Sequence, residues 1–340
     1  MLEKYGFGFA FTDAAGNRRY PPVLIARVPL TRRRVQIDPM RISAWLSLIA
    51  VLIGTLAGIW WFATVGLTWF DVAMMLAGTV FINLGVTIAY HRYFTHTSFE
   101  ARPWVAVLLG IWGSMAMQGQ ILTWVSVHRR HHRYCDTADD PHTPKSMGAG
   151  FKAMLDGFID GYVGWTVSGR LCTYVDYVRD LRKNPLVQFV DRYYWLWIAL
   201  GWIIPGFIGM AWYGTSDGYW SGFFAGGPIR TFLQLNSTGF VNTFGHLVGK
   251  RPFATKDDST NSGLVNAVSL NGEHLHNNHH AIPWSASFAV FKGEFDPGFL
   301  VLRAMEKLGM VSKLKLPSEQ FVVRRSANAS ITPEAAETTS

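Results

Sequence analysis

Four long apolar runs, separated by polar stretches, organise this chain. SAWLSLIAVLIGTLAGIWWFATV begins at Ser43 and ends at 65, and VAMMLAGTVFINLGVTIAY covers 72–90. YYWLWIALGWIIPGFIGMAWY covers 193–213, and the fourth run extends over 219–244. A helix needs about 20 apolar residues to cross a bilayer, so each run is a candidate span. The stretches joining first to second and third to fourth are short and hold no Lys or Arg, so the spans pair as two hairpins. A fifth apolar stretch, 104–127, is divided by Gln118-Gly119-Gln120, and its shorter pieces suit an in-plane or re-entrant element. Were it a span, His91 and His96 would face one compartment and His128 the other. Residues 151–190 read as soluble helices of mixed charge, and 296–308 as an amphipathic helix. The pattern therefore predicts an all-α integral membrane protein of four transmembrane helices. Its expected parts are a polar lead-in over 1–41, a membrane domain over 42–325 and a disordered tail over 326–340.

Composition and charge agree with a membrane protein and orient it. Of 340 residues only 16% are charged while 49% are hydrophobic, and a soluble chain carries about 25% charged residues. Arg18, Arg19, Arg27, Arg32, Arg33, Arg34 and Arg41 precede the first span, which places the N-terminus inside by the positive-inside rule. Two hairpins return the chain inside, so both termini, 91–190 and 246–340 are expected to be cytoplasmic, in a bacterial inner membrane. The formal charge of +8 then reflects this bias and an attraction for anionic lipid and acidic partners; no nucleic acid is expected. With no apolar run before Ser43, the first span is expected to serve as the insertion signal, without a cleaved leader. Two cysteines, Cys135 and Cys172, imply neither a disulfide framework nor an iron–sulfur cluster.

Histidine carries the chemistry. Eight of eleven histidines stand in HRYFTH (His91, His96), HRRHH (His128, His131, His132) and HNNHH (His274 just before it; His276, His279, His280 within it), and His246 ends the fourth run. Positions i, i+3 and i+4 share one face of a helix, so each HxxHH box can converge three imidazoles on a point. His91 and His96 lie about 140° apart on an α-helix. They share a metal only if the helix ends or kinks between them; otherwise they serve two different metals. Imidazole-rich sets suit Fe, Zn, Cu or Ni, and three or four nitrogens suffice for one ion, so nine argue for two. A closed zinc site needs only four ligands, so two irons activating O₂ fit the count better. Asp136, Asp139, Asp140 and Glu273 are candidates to accept the outer N–H of ligating rings. His142 and His274, taken singly, read as ordinary buried polar residues. Arg129, Arg130 and Arg133 read as snorkelling cations. Arg230, a charge well inside the fourth run, is a functional candidate, and Asn242 stands one turn before His246. A di-haem cytochrome would want its histidines within paired spans, and a cation transporter its ligands near the midplane; neither suits this pattern.

The combination HxxxxH, HxxHH and HxxHH beside four spans resembles the membrane fatty-acid desaturases, in particular the stearoyl-CoA Δ9 desaturase-like branch. The likeness runs from about Ile42 to Ser285 through AYHRYFTH, TWVSVHRRHHRYCDTADDPH, LNSTGFVNTFGHLVGKRPF and GEHLHNNHHAIP. It implies a cytoplasmic helical cap holding a di-iron centre on His91, His96, His128, His131, His132, His246, His276, His279 and His280. It further implies a water on Asn242, with Asp140 and Glu273 behind the ligands. The expected reaction introduces a double bond, at Δ9, into a saturated acyl chain carried by CoA, using O₂ and two external electrons. Acyl-lipid or acyl carrier protein substrates, and hydroxylase, acetylenase or terminal-alkene chemistry, are the alternatives on this scaffold. Trp124 matches a tunnel tryptophan, and Gln118 and Arg230 are further candidates for the tunnel. Animal acyl-CoA members carry Arg-Asp directly before the first HxxHH box and an Asn after the Gln matching Gln118. Here Ser126-Val127 and Gly119 occupy those places, and Gly239 stands where animal members have a second tunnel tryptophan. The chain has no GxGxxG fingerprint and no fused haem domain. Electrons are therefore expected from a separate ferredoxin, rubredoxin or cytochrome b5-type donor docking on the basic face.

Overall fold

Helix dominates the described residues because the apolar runs are rich in Leu, Ile, Ala, Trp and Met, and within each hairpin only a short Gly-containing turn divides them. The computed structural model describes residues 11–12, 18–19, 25–27, 34–36, 39–145, 150–168 and 170–327. Most of the expected lead-in, and the tail beyond 327, lie outside the described residues; the first two tail positions close the helix Glu319–Ala327.

The first run is α1 (Pro39–Val65) and the second begins as α2 (Trp69–Gly85). Thr68 caps α2 by accepting from the Asp71 amide while Asp71 accepts from the Thr68 amide at 3.0 Å, a capping box. Among the described residues, three helices are long and apolar enough to cross a membrane: Arg41–Val65, Trp69–Thr95 and Tyr194–Tyr213. Along α1 the side chains of Leu46, Ile49, Ile53, Leu56, Ile59 and Trp60 are exposed, an apolar surface that only lipid would cover without penalty.

The third run is α8 (Tyr194–Tyr213), and the fourth is an unbroken helical path. It comprises α9 (Ser216–Phe224), a π-turn over Ala225–Ile229 and α10 (Arg230–Phe244). This path is not among the three apolar helices, unlike the sequence expectation. The reason is its buried polar face, on which Arg230, Thr231, Gln234 and Ser237 turn inward. The third and fourth runs pack backbone to backbone. A methyl on Gly222 would collide with the Pro205 carbonyl and one on Gly209 with the Gly218 carbonyl, a small-residue contact of the kind that joins membrane helices. At the ends remote from the histidines, Phe70 stacks on Trp212 with centroids 4.4 Å apart, and the Tyr213 hydroxyl donates to Asp71 at 3.0 Å. The two hairpins are thereby tied together.

Between them lie α3 (Pro103–Ser114) and α4 (Ile121–Tyr134), the two pieces into which Gln118-Gly119-Gln120 divides the fifth apolar stretch. The break is firmly built. The Asp191 carboxylate, at the end of α7 (Pro185–Arg192), accepts from the amides of Ile121 and Leu122 at 2.7 and 3.1 Å, and the Gly119 amide donates to the Tyr194 hydroxyl at 2.8 Å. Buried Ile88, Tyr90, Leu109, Ile121, Val125 and Val190 form the core beneath it.

Within 151–190, the first helix departs from the mixed-charge soluble helices expected there. Phe151, Met154, Leu155 and Ile159 on α5 (Phe151–Ile159) are all exposed, which gives this helix an apolar outer face. A π-turn over Asp160–Gly164 follows, leading to α6 (Trp165–Val167), whose Trp165 packs with Ala44 of the first turns of α1. The remaining short helices, α11 (Gly263–Ser269), α12 (His276–Ala281), α13 (Pro297–Lys307) and α14 (Glu319–Ala327), complete a cap at the ends of α2, α4 and α10.

Candidate metal centre

The nine histidines singled out from the sequence come together, and they divide five to four. His91, His96, His128, His132 and His279 form one cluster, and His131, His246, His276 and His280 the other. Within each, one ligating atom per residue lies within 4.8 Å of every other. The expectation that each HxxHH box converges on one point is corrected by this division. In HRRHH the i, i+4 pair His128 and His132 enters the first cluster while His131 enters the second. In HNNHH the pair His276 and His280 enters the second while His279 crosses to the first. Successive residues are 100° apart on a helix, so the i+3 ring diverges from the i+4 ring by that angle and each box bridges both clusters.

His91 and His96 share a cluster because α2 does not stay α-helical. Over Val86–Thr95 it widens into a π-helix, closed by a bond from the His96 amide to the His91 carbonyl at 3.1 Å. Bonds from i+5 to i set residues five apart nearly in line, and the two rings sit 5.1 Å apart. The alternative of two different metals is therefore not what the geometry offers. Arg129 secures this helix end: its guanidinium donates to the carbonyls of Thr95 at 3.0 Å and Phe94 at 2.9 Å and pairs with Asp180 at 2.8 Å. That replaces the snorkelling role expected of it. Arg130 stacks on Tyr174 at 4.7 Å and reaches the exposed Asp139, which takes no histidine.

Each cluster is backed by carboxylates. Glu273 accepts from His91 Nδ1 at 2.7 Å and Asp140 from His131 Nδ1 at 3.0 Å. Asp136 accepts from His246 Nδ1 at 3.1 Å and Asp257 from His280 Nδ1 at 3.2 Å. Asp257 was missed by the sequence reading, since nothing in the spacing of its loop points back to His280. These partners assign the proton of four rings to Nδ1, leaving Nε2 as a bare lone pair. Nε2 of His276 stands 3.0 Å from Nε2 of His246 and 3.1 Å from Nε2 of His280, both such lone pairs. A single proton on His276 can serve only one of them. In the first cluster Nε2 of His279 stands 2.9 Å from that of His91 and 2.9 Å from that of His132, which is 3.0 Å from that of His128. Facing lone pairs at this separation repel, and a cation between them is what the donor set lacks. The residues present thus fit two metal ions.

Electrostatics point the same way. Burial, reinforced by neighbouring imidazoles, holds His128, His132, His276 and His279 well below the ordinary histidine pKa, and His280 is pushed down to about 4. For His131 burial acts downward too, but Asp140 and then Asp136 and Asp257 raise it. Burial alone would raise Asp136, Asp140 and Asp257, yet their histidine partners draw each below the usual carboxylate range. Rings that stay neutral in the fold but charge when unfolded destabilise the metal-free protein in acid. Below the unfolded pKa of about 6.5 the unfolded state binds more protons, so stability falls as pH drops from there toward 4. Metal-free protein in detergent is expected to melt several degrees lower at pH 5 than at pH 7.5; equal melting temperatures would contradict this electrostatic picture.

His142 stacks on His131, 4.2 Å away, and belongs to neither the five-histidine nor the four-histidine cluster; His274 is half-buried. Cys135 Sγ lies 3.7 Å from His131 Nε2, beside the second cluster. Trp124 stacks on His128 at 4.9 Å and donates from Nε1 to Gln118 Oε1 at 2.9 Å, while Gln118 Nε2 donates to Thr238 at 2.6 Å. Gln118, Thr238 and Asn242 line both a small pocket of about 50 Å³ against the clusters and a cavity of about 220 Å³ whose lining also includes Ser43 and Thr166. The Asn242 side chain makes no hydrogen bond among the described residues and faces this space. Arg230 lines neither. It borders a separate apolar cavity of about 710 Å³ between α2, α3 and α8. There its guanidinium donates to the carbonyls of Gly226, Met115 and Gly201 at 2.9, 3.2 and 3.0 Å, so it pins three elements.

The fatty acid desaturase family model matches residues 67–288. The chain is 33% identical to a hex-5-enoyl-[acyl-carrier protein] acetylenase of Moorena producens, over 79% of this chain and 84% of that one. It is 32% identical to an sn-1 stearoyl-lipid 9-desaturase of Anabaena variabilis over 70% of this chain and 81% of the relative. It is 29% identical to stearoyl-CoA desaturase 5 of Bos taurus over 72% and 71%. The chain belongs to the fatty acid desaturase family, and it is an oxidoreductase acting on acyl chains.

Proposed function

We propose that this protein is a membrane di-iron desaturase that takes two hydrogens from adjacent methylenes of a saturated acyl chain, at Δ9 and with CoA as carrier. The observation that carries this reading is the five-and-four grouping of buried imidazoles beside a cavity whose walls are mostly apolar. When bound, two irons supply oxidising power drawn from O₂ and two external electrons. The nine histidines hold them, and Glu273, Asp140, Asp136 and Asp257 fix the rings with Nδ1–H outward. Trp124, Gln118 and Thr238 form a polar hinge at which the chain bends toward the clusters. Asn242 holds a water at its free amide. The apolar walls exclude further water and position one methylene pair, and position is the only way to distinguish such groups.

The same reading places four spans in two hairpins with the helical cap and both termini in the cytoplasm, of a bacterial inner membrane. The basic residues ahead of α1 support that orientation. The exposed Phe151, Met154, Leu155 and Ile159 suit α5 to lie in the plane of the inner leaflet. An acidic ferredoxin, rubredoxin or cytochrome b5-type donor brings electrons to the basic cap.

A second reading is favoured by the likeness to the Moorena acetylenase: removal of hydrogens from an already unsaturated chain on acyl carrier protein. One experiment decides between them. Expressed in a host with a suitable donor, the chain is expected to yield new monounsaturated acyl chains with two hydrogens fewer, at one position. A triple bond, two hydrogens fewer than the enoyl chain it forms from, would favour the acetylenase, and gain of oxygen a hydroxylase. Purified protein is expected to hold about two irons per chain; none would overturn the proposal.

A further inference from the structure

The 220 Å³ cavity has a wall that α10 does not supply itself. At Gly239 the helix presents no side chain, and the ring of Tyr162 fills the space instead, its carbons 2.9 Å from where a Cβ on residue 239 would stand. Both residues line the cavity together with Gln118, Thr238 and Asn242. Tyr162 comes from the π-turn Asp160–Gly164, remote in sequence from α10. A single hydrogen bond holds its tip, from the hydroxyl to Asn236 Oδ1 at 2.7 Å, and Phe158 stacks beside it at 5.8 Å. Asn236 is oriented in turn by its donation to the Phe232 carbonyl at 2.8 Å. The π-turn is anchored at Gly161, where a Cβ would stand 2.8 Å from the Pro144 nitrogen. The ring is half-buried, packed on one side and facing the cavity on the other.

We infer that Tyr162 is a specificity-determining residue: it supplies from the α5–α6 segment the cavity wall that Gly239 leaves open, and so sets which carbons of the acyl chain stand at the histidine clusters. The inference rests on the desaturase reading and adds the residue that fixes the register of its substrate. Methylenes offer no chemical handle, so the enzyme distinguishes them by where the chain is stopped and bent. Removing a ring beside the polar hinge of Gln118 and Thr238 gives the chain room to shift. Adding a side chain at Gly239 while Tyr162 remains asks two groups to occupy one space.

The test uses the full-length protein with its donor, iron content and the distribution of double-bond positions. Tyr162→Ala is expected to keep about two irons per chain while the ratio of major to minor positional isomer drops about tenfold, the discrimination that small changes in an apolar pocket carry. Tyr162→Phe keeps the wild-type distribution, since the ring and not the hydroxyl forms the wall. Gly239→Trp is expected to lower turnover about tenfold, and Tyr162→Ala combined with Gly239→Trp to recover both turnover and a single main isomer. Should Tyr162→Ala not load iron, Tyr162→Leu carries the same comparison. An iron-loaded, active variant with the wild-type isomer distribution overturns the inference, as does a Gly239→Trp defect that the second substitution leaves unrelieved. Wild-type protein that forms no unsaturated product would instead overturn the desaturase reading itself.

Discussion

Alanine at both His131 and His279 is expected to abolish new acyl unsaturation and strip both ions from the protein. The pair removes one ring from each cluster. His279 is the more central of the two, its Nε2 lying 2.9 Å from those of both His91 and His132. His131 is the ring that Asp140 orients at 3.0 Å, and it faces His246 and His280 at centroid distances of 5.2 Å. Changes behind metal ligands already cost about 10–100-fold in affinity or activity, so loss of two ligands should exceed about 100-fold. His142→Ala is the control. That residue touches His131 but belongs to neither cluster, and it is expected to retain iron. Iron quantification beside a fatty-acid profile reads the result, and undiminished unsaturation in the double variant would end the metal assignment.

The second large effect falls on stability. Arg92, next to His91 on the π-helix, is wholly buried and donates through one nitrogen to both Asp296 oxygens at 2.9 Å. Its guanidinium also lies 3.9 Å over the Phe288 ring, which packs on His279 at 4.6 Å. Asp296 in turn caps α13, accepting from the Phe299 amide at 3.0 Å. Asp296→Ala therefore leaves an unpaired buried cation beneath the first cluster, and removing one partner of such a pair costs about 3–5 kcal/mol. A drop in melting temperature and loosened iron binding are the expected readouts. Arg92 Nε and Nη1 have no partner among the described residues, so the ion pair is itself imperfectly satisfied. Arg92→Met combined with Asp296→Leu should consequently cost less than Asp296→Ala alone. If the single variant melted like the wild type, the clamp would have no such role.

The long apolar helices and the nine clustered rings were legible from the chain because both are written in short-range patterns: unbroken apolar length, and histidines at helical spacing. What escaped notice depends on departures from regular helix or on contacts between distant segments. A 3.6-residue period places His91 and His96 on different faces, and only the widened turn over Val86–Thr95 brings them together. The HxxHH spacing shows rings near one another but not that each box would divide between two centres. Asp257 reaches His280 across a loop with no periodicity to read. Arg230 drew attention as a charge in an apolar run, yet two of its three carbonyl partners, Met115 and Gly201, belong to separate elements that no local pattern connects. Likewise Gly239 is only an absence in the sequence, and its complement Tyr162 lies 77 positions earlier (239 − 162 = 77).

The order in which the ligating rings occur along the chain bears on biogenesis. The five-ring cluster takes its last member at His279 and the four-ring cluster at His280, both after the last long helix, which ends at Phe244. Neither set of rings can be complete until those residues are made, so on the proposed reading an ion that needs a full set binds only after every long helix has been synthesised. A nascent chain halted before His276 would carry every long helix yet lack the rings that complete either set, which separates helix formation from metal loading in time.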